Sequence, residues 1–257
     1  MYGMKRYVRL GLILLMSSIA LAPGRASSQE VREGTPPNTL SREEKGEGWQ
    51  LLFDGRTLSG WRCEDRDSLP SKGWKIADGA LMVEASVGGG NIVTAGEYSS
   101  FELEVDFRLT RGANSGIMYF VPDLGAGTSP SSRSLEYQLL DDSVHRDAKL
   151  GIAGNRTLAS LYDLLPAEGK RTHPVGEWNH ARIVVRGAHV EHWLNGRKVL
   201  EFERGGREFL AHKAASKFRD LNGFGEAGKG HILLQDHGDQ VFFRNIRIRT
   251  FSRGPLK

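Results

Sequence analysis

The segment Phe101-Glu-Leu-Glu-Val-Asp-Phe-Arg-Leu-Thr110 alternates apolar and polar residues without a break. Successive side chains of a β-strand point to opposite faces, so Phe101, Leu103, Val105, Phe107 and Leu109 share one face. Glu102, Glu104, Asp106, Arg108 and Thr110 share the other. A helix would scatter both sets around its circumference. The stretch reads as a half-buried strand of an antiparallel sheet, with its charged face in water.

Period two recurs along the chain. Strands are expected at 50–54, 74–77, 80–84, 116–121, 135–140, 180–186, 189–194, 198–203, 231–235 and 241–249. Asn195-Gly196 and Asp78-Gly79 sit between paired runs, where a tight hairpin turn needs residues that accept positive φ. Only about 208–218 suggests a helix, with Leu210, Ala214 and Phe218 on one face. Many short strands and little helix predict an all-β jelly-roll sandwich, a closed barrel being the competing architecture.

The ends read differently. Lys5, Arg6 and Arg9 precede an apolar run from Leu10 to Ala22, too short to span a bilayer comfortably, and small residues follow. Residues 1–28 are expected to be a signal peptide, an uncleaved anchor being the alternative. The chain is then exported, to the periplasm or the medium, with no membrane association after signal removal. Residues 29–47, with Pro36-Pro37, read as a disordered leader. The domain is expected at 48–251, followed by a tail at 252–257. Net charge is +4 and part of it lies in the first ten residues, so no basic stripe marks a nucleic-acid partner. The single cysteine, Cys63, excludes an internal disulfide and reads as a small packed residue.

Three clusters carry possible chemistry. Asn114-Ser-Gly116 enters a strand. Glu136-Tyr-Gln-Leu-Leu-Asp141-Asp142 puts Glu136 and Gln138 on one face, with two carboxylates at the strand end. Gly230-His-Ile-Leu-Leu-Gln-Asp-His-Gly238 brings Gln235, Asp236 and His237 to another strand end, and a histidine beside a carboxylate can serve as a base near neutral pH. The loop from Asp141 to about Glu177 adds His145, Arg146, Asp147, Arg156, Tyr162 and Asp163, a mixture suited to a sugar-binding rim. The histidines show no metal-ligand spacing, so neither a metal nor a cofactor is expected, although loop carboxylates leave room for a structural Ca2+.

Read in order, the motifs form a larger pattern. Leu52-Phe-Asp-Gly-Arg-Thr-Leu-Ser-Gly-Trp61, Asn114-Ser-Gly116, Glu136-Tyr-Gln-Leu-Leu-Asp-Asp142, His145-Arg-Asp-Ala148, Leu161-Tyr-Asp163, Gly176-Glu-Trp-Asn179, His192-Trp-Leu-Asn-Gly196, Leu234-Gln-Asp-His-Gly238 and Phe243-Arg-Asn-Ile246 follow one another. Each is weak alone; their order resembles the 3-keto-disaccharide hydrolase domain family of exported bacterial proteins. The resemblance spans about residues 48 to 250. One departure is Ala159-Ser160, where the family pattern has a glycine.

The resemblance implies a concanavalin-A-like jelly roll and a carbohydrate substrate oxidised to a ketone at C3. Such a ketone acidifies the C2 hydrogen. A base removes it and the C1 substituent leaves. On this reading the catalytic candidates are Glu136 or His237 as base, assisted by Asp141 or His145. Asn114, Gln138, Arg156, Tyr162, Gln235 and Asp236 would bind the sugar. Three other readings compete. One is a carbohydrate-binding module without catalysis. The second is a retaining glycosidase, disfavoured because Glu136-x-Gln138-x-x-Asp141 has an amide where that class carries its central acid. The third is a purely structural or protein-interaction role.

Overall fold

The computed structural model describes residues 36–123 and 130–251; the expected signal peptide at 1–28 and tail at 252–257 lie outside them. Within them the strands are β1 (Gln50–Leu51), β2 (Trp61–Cys63), β3 (Trp74–Ala77), β4 (Ala80–Val83), β5 (Ile92–Thr94), β6 (Phe101–Leu109), β7 (Asn114–Val121), β8 (Leu135–Leu140), β9 (Asn179–Arg186), β10 (His189–Leu194), β11 (Arg197–Glu203), β12 (His231–Leu234) and β13 (Val241–Thr250). An eight-stranded sheet runs β11-β10-β9-β6-β13-β4-β3, with β1 also on β13, and a five-stranded sheet runs β2-β5-β12-β7-β8. All named pairs are antiparallel. This is the expected jelly-roll sandwich rather than a closed barrel.

The core lies between the sheets. Phe101, Leu103, Val105 and Phe107 of β6 meet Tyr119, Tyr137, Leu139, Ile232 and Leu234 from the smaller sheet, all nearly inaccessible. Cys63 is buried there too. Because β7, β8 and β12 turn those residues inward, the alternate set (Gly116, Met118, Glu136, Gln138, Leu233) faces outward from the smaller sheet. Strands β2 and β5 were not legible in the sequence, since a three-residue strand is too short to show a period.

The second face of β6 is not solvated as its charges suggested. Glu102 and Glu104 are 3% and 0% exposed. A buried carboxylate persists only if paired. Glu102 accepts from Arg182 Nε (2.5 Å) and Arg249 Nε (2.8 Å), and Glu104 accepts from Arg247 Nε (2.8 Å) and Nη2 (2.6 Å). Trp49 covers Arg247 and Arg249 with its ring.

Part of that cover comes from the expected leader. Residues 42–46 form a helix, α1 (Arg42–Gly46), closed at its start by a capping box between Ser41 and Glu44. Glu44 pairs with Arg247. Asn38 is buried: its N–H donates to Asn245 Oδ1 (2.6 Å), its Oδ1 accepts from Asn245 N–H (2.8 Å), and its Nδ2 donates to the Gly79 carbonyl (2.7 Å). The packed unit thus begins before the boundary drawn at residue 48.

The helix expected at 208–218 is α2 (Arg207–Ala215), and its packing residue differs. Phe209 is buried and stacks on Phe202 (5.9 Å between ring centres), whereas Leu210 is 51% exposed. Phe218 lies beyond the helix and stacks on Phe224 at 4.2 Å. Among the described residues no helix is long and apolar enough to cross a membrane.

Candidate active site

The outward face of β7 and β8 forms the floor of a pocket of about 400 Å³. Glu136 and Gln138 rise from β8, Asn114 and Met118 from β7, and Gln235 and His237 from the end of β12. Tyr162 closes one side. The segment after α2 contributes Lys217, Phe218, Leu221 and Phe224, and the turn after 130 contributes Ser131, Ser132 and Ser134. Glu64 holds that turn by accepting from the Ser131 N–H (2.8 Å). The pocket has a polar floor and one apolar wall, as sugar and ligand sites have.

Glu136 is the central group. Gly116 on β7 leaves room for its carboxyl, and burial pushes its pKa up to about 8, with Lys217 opposing the shift and Asp147 adding to it. The amide orientation that satisfies Gln138 puts its nitrogen 3.1 Å from Glu136 Oε1 and 3.1 Å from the Ser115 carbonyl, donating to both. That leaves Oε2 to carry the proton. His237 stands at the mouth, exposed, with no hydrogen-bond partner among the described residues.

Tyr162 is held from behind. Its hydroxyl donates to Asp147 Oδ2 at 2.9 Å, and burial, reinforced by that carboxylate, pushes the phenol well above its ordinary range. Arg156 does not reach the pocket as a sugar ligand. It donates to Asp163 Oδ1 (2.5 Å) and Asp147 Oδ1 (3.4 Å), so it braces Tyr162 through Asp147.

Three further candidates are placed elsewhere. Asp141 accepts from the Gly112 N–H (2.8 Å) and from Ser143 N–H (3.0 Å) and hydroxyl (2.5 Å). Burial raises its pKa, but these bonds to the ionised form win and hold it below the usual carboxylate value. It is a turn clamp. His145 begins the short 3₁₀ turn Arg146–Lys149, where its Nδ1 accepts from the Asp147 N–H at 3.1 Å. Asp236 accepts from the N–H groups of Gly89 (2.7 Å), Gly90 (3.0 Å) and Gly238 (3.0 Å), tying two loops together. All three lie outside the pocket lining.

Lys217 and the apolar wall were missed. They lie in a segment whose sequence shows only a fading helical pattern. The one available signal was Phe218-to-Phe224 spacing past a helix end. His231 is buried outside the pocket lining, donating from Nδ1 to the Gly96 carbonyl (3.1 Å) while Nε2 accepts from Arg62 (3.3 Å).

Two other places bear on ligands. A pocket of about 230 Å³ lies on the larger sheet's outer face, lined by Asp106, Trp178, His180, Arg244 and Pro36 among others, with none of the sequence candidates. Among the described residues, His189, Glu191 and Glu201 have metal-ligand spacing, but Lys198 Nζ already lies 2.5 Å from Glu201 and 3.5 Å from Glu191.

A family model described as the 3-keto-alpha-glucoside-1,2-lyase-like domain matches residues 48–249. A 3-keto-disaccharide hydrolase of Bacteroides thetaiotaomicron is 38% identical over 231 residues, covering 80% of this chain and 79% of its own. A crystal structure from Parabacteroides distasonis, of a protein assigned to the glycosyl hydrolases, superposes with a TM-score of 0.74 at 30% identity, over 84% of this chain and all of that one. A second protein so assigned from the same organism gives 0.60 at 29% identity, over 79% of this chain and 99% of its own. The ordered motifs, the jelly-roll sandwich and these matches agree, and the chain belongs to the 3-keto-alpha-glucoside-1,2-lyase-like domain family.

Proposed function

We propose that the protein cleaves a 3-keto-glycoside by removing the C2 proton and expelling the C1 substituent. The supporting observation is the division of labour between two titratable groups in one pocket. Glu136, with a pKa near 8, is protonated at neutral pH and suits a general acid. His237, exposed at the mouth, suits the base. The sequence left Glu136 and His237 as alternatives for the base; the half-buried, neutral carboxyl favours His237 for that role.

The electron and proton balance is simple. His237 takes the C2 proton, and the C–H pair becomes the enolate. The enolate pair then reforms as the C1–C2 double bond while the C1–O bond breaks. Glu136 gives its Oε2 proton to the leaving oxygen. Addition of water to the unsaturated ketone completes a net hydrolysis. Asn114, Gln138, Gln235 and Tyr162 orient the ring. A signal peptide at 1–28 would put this activity outside the cytoplasm.

The test is to incubate the full chain with glycosides and their 3-keto forms and to identify products by mass spectrometry. Cleavage of the keto form alone, reduced about 10²–10⁴-fold in Glu136→Gln and in His237→Ala, supports the reading. Tight binding of the keto form with no product would favour a binding module. Cleavage of the unoxidised glycoside would favour an ordinary glycosidase.

A further inference from the structure

We infer that Lys217 supplies the positive charge that stabilises the enolate oxygen, and that Asp163 is the positioning residue that sets it there. This deepens the proposed reaction and rests on it for its catalytic meaning.

Asp163 is 4% exposed and holds a left-handed backbone, φ +61°. Its own N–H donates to the Asn155 carbonyl at 2.9 Å. Its two carboxylate oxygens face different parts of the chain. Oδ1 accepts from Arg156 in its own loop, and Oδ2 accepts from the Lys217 backbone N–H at 2.8 Å, across 54 positions of sequence. One buried carboxylate therefore docks the segment after α2 onto the Tyr162 loop. The docking carries Lys217 and Phe218 into the pocket wall together.

The ammonium that results is unusual. Lys217 Nζ lies 4.2 Å from the centre of the Tyr162 ring and 5.0 Å from that of Phe218. Among the described residues it makes no ion pair with a carboxylate within salt-bridge distance. Tyr162 and Lys217 both line the pocket, so the ammonium, seated against the Tyr162 ring, borders the pocket without a carboxylate paired to it. The residue is exposed overall; partial desolvation of its ammonium lowers the lysine pKa, while Glu136, Asp163 and Asp147 pull it back up. Among the residues lining the pocket, Lys217 is the one lysine or arginine and Glu136 the one carboxyl. A neutral ketone does not need that charge. The enolate does, so the interaction strengthens as the reaction proceeds, which is the condition for catalysis.

The experiment has two arms. In the first, kcat, KM and the pH profile on a 3-keto-disaccharide are measured for wild type, Lys217→Met, Lys217→Arg and Asp163→Asn. Lys217→Met is expected to lose about 10²–10³-fold in kcat with KM little changed, and Lys217→Arg to recover part of it. Asp163→Asn is expected to lower kcat and to move the Glu136 limb to higher pH, because the cation holding that pKa down is displaced. A purely structural Asp163 would lower the melting temperature and leave the limb in place. Lys217→Met within about threefold of wild-type kcat overturns the inference.

The second arm does not need turnover. Calorimetry under anaerobic conditions measures the ascorbate monoanion, a planar delocalised enolate, against neutral methyl glucoside. Lys217→Met is expected to weaken ascorbate by about tenfold and to leave the neutral sugar unaffected. Equal ascorbate binding in the variant, or none in wild type, overturns the charge assignment. Absence of turnover in wild type with Lys217-dependent ascorbate binding would sink the reaction while leaving the cation site standing.

Discussion

A Cβ placed on Gly116 would lie 2.3 Å from Glu136 Oε1, so the glycine on β7 is what allows the glutamate on β8 to lie flat on the pocket floor. Gly116→Ala must therefore push the carboxyl away from Gln138. A displacement of about 1 Å at a catalytic group costs on the order of 10²-fold. The expected result is a kcat loss of that size with cooperative unfolding retained, read by steady-state kinetics and a thermal melt.

Glu136 costs the fold stability as pH rises. Its folded pKa is raised to about 8 from an ordinary 4.5. Between those values the unfolded chain has released the proton and the folded chain keeps it. Stability contributed by the protonated form is full below 4.5 and is lost as pH rises towards 8. Glu136→Gln removes this loss. It should be inactive yet more stable at pH 8 by about 2 kcal/mol, after discounting for its partial exposure. Urea unfolding at pH 5 and pH 8 checks the sign: the advantage should appear only at the higher pH. If Glu136 is the acid, the wild-type rate should also fall above about pH 8.

His192 has the opposite dependence. It is fully buried, its Nδ1–H donates to the Ala159 carbonyl (2.9 Å), and its Nε2 accepts from the Tyr119 hydroxyl (2.9 Å). Burial lowers its pKa to about 4 from 6.5. The neutral ring's contribution is complete above 6.5 and is lost as pH falls through 4. Unfolding free energy should drop by about 3 kcal/mol across that window from this residue. His192→Gln should start lower at pH 7 and show a shallower acid slope by chemical denaturation.

Asp141 and Asp236 should separate stability from chemistry. Each satisfies backbone N–H groups in a turn. Asp141→Asn and Asp236→Asn should each cost about 1–3 kcal/mol of stability and leave kcat within about threefold of wild type. A loss of activity comparable to Glu136→Gln, at a temperature where the variant is folded, would return either residue to the catalytic set.

The alternation in β6 and the parity of β8 are enough to place the core and the face that carries Glu136 and Gln138. Period two says which residues share a face, so Glu136 and Gln138 had to stand together once Tyr137 and Leu139 were buried. Parity does not say what covers a face. Glu102 and Glu104 looked solvated because the arginines that bury them come from β9 and β13, and α1 closes over them from the far end of the chain. The strand-end aspartates show a related limit. A carboxylate that takes backbone N–H groups and one that meets a sugar look alike in sequence. Lys217 was invisible because a buried contact with Asp163 places it. Ala159 carries a φ of +66°, which explains why the family pattern favours glycine there.

The reciprocal bonds between Asn38 and Asn245 also set a direction. They fasten the chain's entry to the outer face of the larger sheet, and Glu136 opens from the outer face of the smaller one. Asn245 therefore stands on the side of the sandwich remote from the pocket floor, and the segment it fastens, from residue 38 onward, bears on the stability of the far sheet and not on the pocket lining.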